Sequence, residues 1–170
     1  MYLLRHLLSI LILPFTMSVL VPRWLLRAYA ATDTRWTDGV AAWAGRAAGV
    51  ALGILGLALF VSSVWLFARV GRGTLAPWDP TRRLVAVGPY RYTRNPMISG
   101  VLAMLGAQAL VAGSRVLAAW AALFFVVNTV YFVVSEEPGL RERFGDDYVR
   151  YARAVHRWVP RATPWRDPHP

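Results

Sequence analysis

The sequence predicts an all-α integral membrane protein: four transmembrane helices, or five if a first loop re-enters the membrane, followed by a helical cytoplasmic C-terminal tail. Three observations carry that expectation. The chain of 170 residues is 56% hydrophobic and only 16% charged, too apolar for a water-soluble domain of this length. Its apolar residues gather into four long stretches. Its 19 basic residues, all arginine, fall mainly on alternate connecting segments, as the rule for positive loops requires.

The first stretch runs from Leu3 to Val21, with Arg5 and His6 near its start and Pro14 inside it. Long side chains near a helix end snorkel to the headgroups, and a membrane helix tolerates proline when neighbours satisfy the freed carbonyl. Pro22-Arg23-Trp24 follows in place of a small-residue cleavage site, so the stretch reads as a retained helix and not as a signal peptide. Residues 22–46 combine four arginines with Trp24, Leu25, Leu26, Trp36 and Trp43, which suits an interfacial amphipathic helix. If that loop crosses the membrane, the count becomes five and the N-terminus flips.

The second stretch, Ala47 to Val70, is uncharged until Arg69 and carries Gly49 and Gly53 as a small-xxx-small pair for close helix packing. The third, Met97 to Ala112, is short against a span of about 20 residues. Only Gly113-Ser114-Arg115 separate it from the fourth, Val116 to Val134, so the two form a tight antiparallel hairpin. Gln108 and Asn128 read as makers of helix–helix hydrogen bonds. Beyond the fourth stretch, Leu140, Phe144, Tyr148, Tyr151 and Val155 recur at near-helical spacing, which predicts a helix over 136–158.

With both termini inside, the inner segments carry 14 arginines and the outer ones 5, so the site is expected to face the cytoplasm. An alanine-rich, lysine-free composition suggests a GC-rich coding sequence, hence a bacterial inner membrane. The net charge of +10 is accounted for by loops lying against anionic lipid and needs no nucleic acid. The absence of cysteine excludes disulfides, zinc–thiolate sites and thiol nucleophiles. The expected unit is a single domain over 1–170. It acts as a monomer without an obligate protein partner, since one chain can enclose a site between helices and tail.

Two constellations carry the chemistry. Gly88-Pro89-Tyr90-Arg91-Tyr92-Thr93-Arg94-Asn95-Pro96-Met97-Ile98-Ser99-Gly100 leads into the third stretch; its arginines sit at the membrane surface and its tyrosines can flank a planar ligand. Taken alone, it reads more readily as a membrane-entry loop with an aromatic belt. Ser135-Glu136-Glu137 ends the fourth stretch, where ionised groups are costly unless paired. Arg91, Arg94 or the tail arginines are the available partners, and acids also complement the start of a following helix. His6, His156 and Asp79 read as headgroup-level or solvated groups.

In this order, Arg94-Asn95-Pro96-Met97-Ile98-Ser99-Gly100, a hydrophobic hairpin, and then Glu136-Glu137 resemble the signature of the isoprenylcysteine carboxyl methyltransferase and phospholipid N-methyltransferase family. Its pattern reads Arg-(His or Asn)-Pro-x-Tyr-x-Gly, a hydrophobic stretch, then Glu-Glu. Gly88-Pro89-Tyr90-Arg91-Tyr92 upstream, and Leu140, Phe144-Gly145, Tyr148, Tyr151 and Arg157-Trp158-Val159-Pro160 downstream, are also similar to it. The resemblance is strongest over 75–160. Asn95 stands where the isoprenylcysteine enzymes have His, and Ile98 where the family has Tyr.

The resemblance implies methyl transfer from S-adenosyl-L-methionine to a lipophilic or membrane-resident acceptor, a carboxylate or an amine, at the cytoplasmic surface. No metal is implied. Arg94 and Glu137 are then the catalytic candidates. Gly88, Tyr90, Arg91, Tyr92, Arg94, Asn95, Pro96 and Gly100 shape the cofactor pocket. Glu136 or Glu137 binds ribose hydroxyls or the methionine ammonium, Arg91 or Arg94 holds the methionine carboxylate, and Tyr148 and Tyr151 close the pocket. Two alternatives stay open: an NADPH-dependent lipid or sterol-type reductase, for which Arg82-Arg83 supplies a phosphate-binding pair, and a non-enzymatic membrane protein of the same fold.

Overall fold

The computed structural model describes residues 11–33, 35–36, 38–70 and 84–167. Arg5, His6, Asp79 and the Arg82-Arg83 pair lie outside the described residues, as does the start of the first apolar stretch. Among the described residues there is no strand. A π-helical segment, Leu11–Leu20, runs directly into α1 (Val21–Ala28); α2 (Val40–Val70), α3 (Pro96–Ala112), α4 (Arg115–Tyr131) and α5 (Glu137–Ala154) follow. A five-residue π-helical segment, Phe132–Glu136, joins α4 to α5 without a break. A single 3-10 turn, Gly88–Arg91, precedes α3.

Val40–Leu66 and the run that begins at Arg115 are long and apolar enough to cross a membrane, and Pro96–Ala112 is a shorter apolar helix. A hydrocarbon core of about 30 Å takes about 20 helical residues, so the apolar part of the second run ends near Val134 and the glutamate pair lies beyond it. Exposed large apolar side chains such as Val50, Ile54, Leu57 and Val61 on α2, and Leu123, Val126, Val127 and Val130 on α4, fit helices whose outer faces meet lipid.

The chain divides into two compact units, Met1–Ala58 with Gly100–Val127 and Leu59–Ser99 with Asn128–Pro170. In the first, the expected glycine face of α2 meets α3. A Cβ on Gly49 would lie 2.9 Å from the Ala107 carbonyl oxygen, and one on Gly56 would lie 2.9 Å from the Ala103 Cβ and from the Gly100 carbonyl oxygen. The pair foreseen from sequence is therefore part of a longer face that includes Gly56. Gln108 makes the expected interhelical bond, its Nε2 donating to the Ser18 carbonyl at 2.9 Å.

The α3–α4 turn shows why three residues suffice. Gly113 has φ +63°, a left-handed conformation open to glycine. Ser114 caps α4, its Oγ accepting from Leu117 N at 3.1 Å and donating to Asp33 Oδ2 at 2.5 Å, while Val116 N donates to Asp33 Oδ1 at 3.2 Å. Burial pushes the Asp33 carboxyl up, but these hydrogen bonds and the Arg35 charge outweigh it and hold the group below its usual range. Trp36 lies against Gly113 and donates from Nε1 to the Leu110 carbonyl at 2.6 Å.

In the second unit the helical tail forms as expected. Tyr148, Tyr151 and Val155 are its buried core, packed against Leu84, Ala86, Leu140, Phe144 and Trp165. The spacing hid one feature: Gly145 departs from helical geometry with φ 52° and ψ −131°, bending α5 between Phe144 and Tyr148.

Candidate active site

All the polar contacts that follow lie in the second unit. The loop after Gly88 is fixed at three levels. Gly88 has φ +55°, and a side chain there would collide with Leu66. Tyr90 is buried, and its carbonyl accepts from the Tyr151 hydroxyl at 2.6 Å. Pro96, fully buried, opens α3, where a missing N–H costs nothing.

The residues after α5 then return as a strap along that loop. Arg94 N donates to the His156 carbonyl at 3.0 Å, Arg161 N to the Tyr92 carbonyl at 2.9 Å, and Trp165 N to the Arg91 carbonyl at 2.9 Å. The Thr93 hydroxyl donates to the Arg157 carbonyl at 2.9 Å, and Arg91 Nε to the Trp165 carbonyl at 2.6 Å. Tyr151 and Trp165 meet edge to face, ring centres 5.2 Å apart.

This arrangement brings Arg94 and Arg157 onto one acid. Arg94 Nη1 lies 3.0 Å and Arg157 Nε 2.7 Å from the same Glu137 oxygen, Oε1. Arg94 Nη1 also donates to the Tyr148 hydroxyl at 3.3 Å. Burial pushes the Glu137 carboxyl up, but the hydrogen bond from Arg157 and the charges of both arginines outweigh it and hold the acid below its usual range. Arg157 is raised in turn, first by its hydrogen bond to Glu137.

Glu136 behaves oppositely: burial, then the Glu137 charge, raises it to about 7, against a smaller pull from Arg143. Burial also raises Tyr90 and Tyr151, with the Tyr151 phenol and Glu136 adding to the effect at Tyr90.

A cleft of about 680 Å³ opens beside this cluster's loop, lined by Gly88, Arg91, Phe144, Trp165, the charged residues Asp147, Arg166 and Asp167, and neighbouring apolar residues. The expected site residues therefore fall into groups. Arg94, Glu137 and Tyr148 form the ionic cluster. Gly88 and Arg91 line the cleft, and Tyr90 and Tyr151 tie loop to helix. Tyr92 is exposed. The Asn95 carbonyl accepts from Ser99 N and Oγ, each at 2.9 Å. Gly100 belongs to the first unit, packed at Gly56.

Arg157 is one of the tail arginines expected as partners for the glutamate pair, but sequence reasoning did not single it out as a site residue. Its signal was its place in the Arg-Trp-Val-Pro string, but nothing in a separation of 20 residues from Glu137 announces an ion pair.

A sequence model of phospholipid methyltransferases matches residues 44–147, a stretch that holds both the Gly88–Gly100 loop and the glutamate pair. No curated protein and no solved structure matches the chain significantly. The family match covers more than half of the chain, and with its apolar helices and the Arg94–Glu137 pair in place, this membrane protein belongs to the phospholipid methyltransferase family, in the same group as the isoprenylcysteine carboxyl methyltransferases.

Proposed function

We propose that the protein transfers a methyl group from S-adenosyl-L-methionine to a lipid acceptor, an amine headgroup by preference, at the cytoplasmic face of a bacterial inner membrane. The observation that carries this reading is the ionic cluster: a part-buried acid and Arg94, both within the family's matched segment, with Arg157 from beyond it closing on the same acid. We read the chain as a single functional domain with four transmembrane helices, acting as a monomer.

The residues present fit such a cofactor. Arg94 Nε is buried without a hydrogen-bond partner among the described residues, a donor of the kind a carboxylate would satisfy. Glu136 offers an acid for an ammonium or ribose hydroxyls, and Phe144 and Trp165 give the cleft apolar walls. In this reading Arg94 and Glu137 are the catalytic pair, and Gly88, Tyr90, Arg91, Tyr92, Asn95, Pro96, Gly100, Glu136, Tyr148 and Tyr151 shape or hold the cofactor site. The bound cofactor supplies an electrophilic methyl on sulfur. The protein's task is alignment and exclusion of water, since displacement at that carbon gains most from orientation. Arg94 and Glu137 hold and orient, while Tyr148 and Tyr151 keep the loop closed over the tail.

Equilibrium binding to the detergent-purified protein tests this. S-adenosylmethionine and S-adenosylhomocysteine bind saturably, and a Glu136→Ala, Glu137→Ala double variant loses both. NADPH binding without either adenosyl ligand moves the protein to the reductases. Folded protein that binds none of them leaves no enzyme.

A further inference from the structure

We propose that Arg157 is a positioning residue: together with Arg94 it holds the Glu137 carboxylate by a single oxygen and so sets the orientation and charge that this acid presents to a bound cofactor. The inference rests on the proposed cofactor site and deepens it by giving the C-terminal strap a part in it.

Both contacts to Glu137 use Oε1, at 2.7 Å from Arg157 Nε and 3.0 Å from Arg94 Nη1; neither uses Oε2. A carboxylate has about four lone-pair sites over two oxygens, so two cations on one oxygen fix the plane of the group while the other oxygen stays outside the clasp. The three side chains are sheltered, with exposures of 14% for Arg94, 18% for Glu137 and 23% for Arg157. At such exposure the pairing is screened far less than at an open surface.

Arg157 is also delivered in place by its own backbone. Its carbonyl accepts from Thr93, and the preceding His156 carbonyl accepts from Arg94 N. The strap residue and the loop residue that share Glu137 are thus tied to each other as well.

The charged and titratable groups facing Glu137 are Arg94 from the loop, Arg157 from the strap, and Glu136 and Tyr148 from its own helical run; Arg143 acts on Glu136. Burial opposes ionisation of the acid. Removing Arg157 leaves Arg94 alone against burial, so Glu137 takes up a proton at a higher pH than in the intact protein.

The test uses the full chain in detergent. Binding of S-adenosylhomocysteine is measured across pH for wild type, Arg157→Gln and Arg157→Lys. The carboxyl infrared band of Glu137, isolated by difference against Glu137→Gln, is titrated in the same proteins without ligand. Arg157→Gln is expected to weaken binding about tenfold and to raise the acidic midpoint by about one pH unit, in binding and infrared alike. Arg157→Lys brings the midpoint back towards wild type while affinity stays reduced, because an ammonium lacks the planar fork.

Wild-type affinity and midpoint in Arg157→Gln overturn the proposal, and so does lost affinity with an unmoved midpoint, the mark of a merely structural role. If Arg157→Gln does not fold, the wild-type infrared titration decides: Glu137 ionised below the ordinary carboxyl range supports the clasp, and protonation within that range overturns it. Failure of the wild type to bind sinks the functional reading, while the infrared titrations still report on Arg157.

Discussion

Glu136 and Glu137 are neighbours in the chain with opposite acid strengths, because two arginines reach one of them and burial dominates the other. For Glu136 the sign is definite. Its folded-state value near 7 lies above the unfolded one, so stability falls as pH rises from the ordinary carboxyl range to about 7 and then levels. Glu136→Gln should therefore raise the melting temperature more at about pH 8 than at about pH 5; an equal effect at both would show a solvated group. Glu137→Gln removes the charge that this acid offers a ligand's ammonium, a charge-assisted hydrogen bond worth roughly 1.5–3 kcal/mol, so affinity for S-adenosylhomocysteine should drop about 10–100-fold in a calorimetric titration. Tyr151→Phe leaves the buried Tyr90 carbonyl without its donor, at a cost of about 1–3 kcal/mol in a thermal-shift series. The sequence marked Arg94 and the two acids as residues of interest, since charges at the end of an apolar stretch stand out. It could not tell which acid is paired, because that depends on Arg157, brought back by the turn of the strap.

At the scale of elements, periodicity worked where one face is buried and failed where backbone geometry is local. Leu140, Phe144, Tyr148, Tyr151 and Val155 were legible as a stripe and form or line the tail core. The bend at Gly145 was not, since a glycine inside a helical pattern looks merely weak. Its φ of 52° with ψ of −131° is accessible to glycine almost alone, so Gly145→Ala should cost about 1–3 kcal/mol despite the open space around it. The π-helical segment Phe132–Glu136 escaped notice for the same reason: nothing in Phe-Val-Val-Ser-Glu distinguishes a wider turn. In the first unit, Gly56→Leu forces side-chain atoms into the Ala103 contact and should lower the melting temperature by overpacking worth about 1–3 kcal/mol.

For the whole molecule, composition placed the chain in a membrane, and the order of two motifs placed it in its family; four spans and their direction remain proposals with a direct test. The chain has no cysteine, so single substitutions can be labelled cleanly in oriented vesicles. Arg166→Cys should react only from the cytoplasmic side and Arg115→Cys only from the other. Tyr2→Cys reacts with Arg166→Cys in a four-helix protein and opposite to it in a five-helix one. The strap carries a different consequence. Three of its ties to the loop are purely backbone, through His156, Arg161 and Trp165, and such bonds form whatever side chain is attached, proline donors apart. In a saturation mutagenesis library, position 156 should therefore tolerate wide replacement, while 157 accepts almost nothing and 161 favours arginine, whose Nη1 also donates to the Ala154 carbonyl at 2.7 Å. Descendants of this gene would then be free to vary the strap wherever only its backbone is read, and bound to keep the few letters, Arg157 and Trp165 first, whose side chains are read as well.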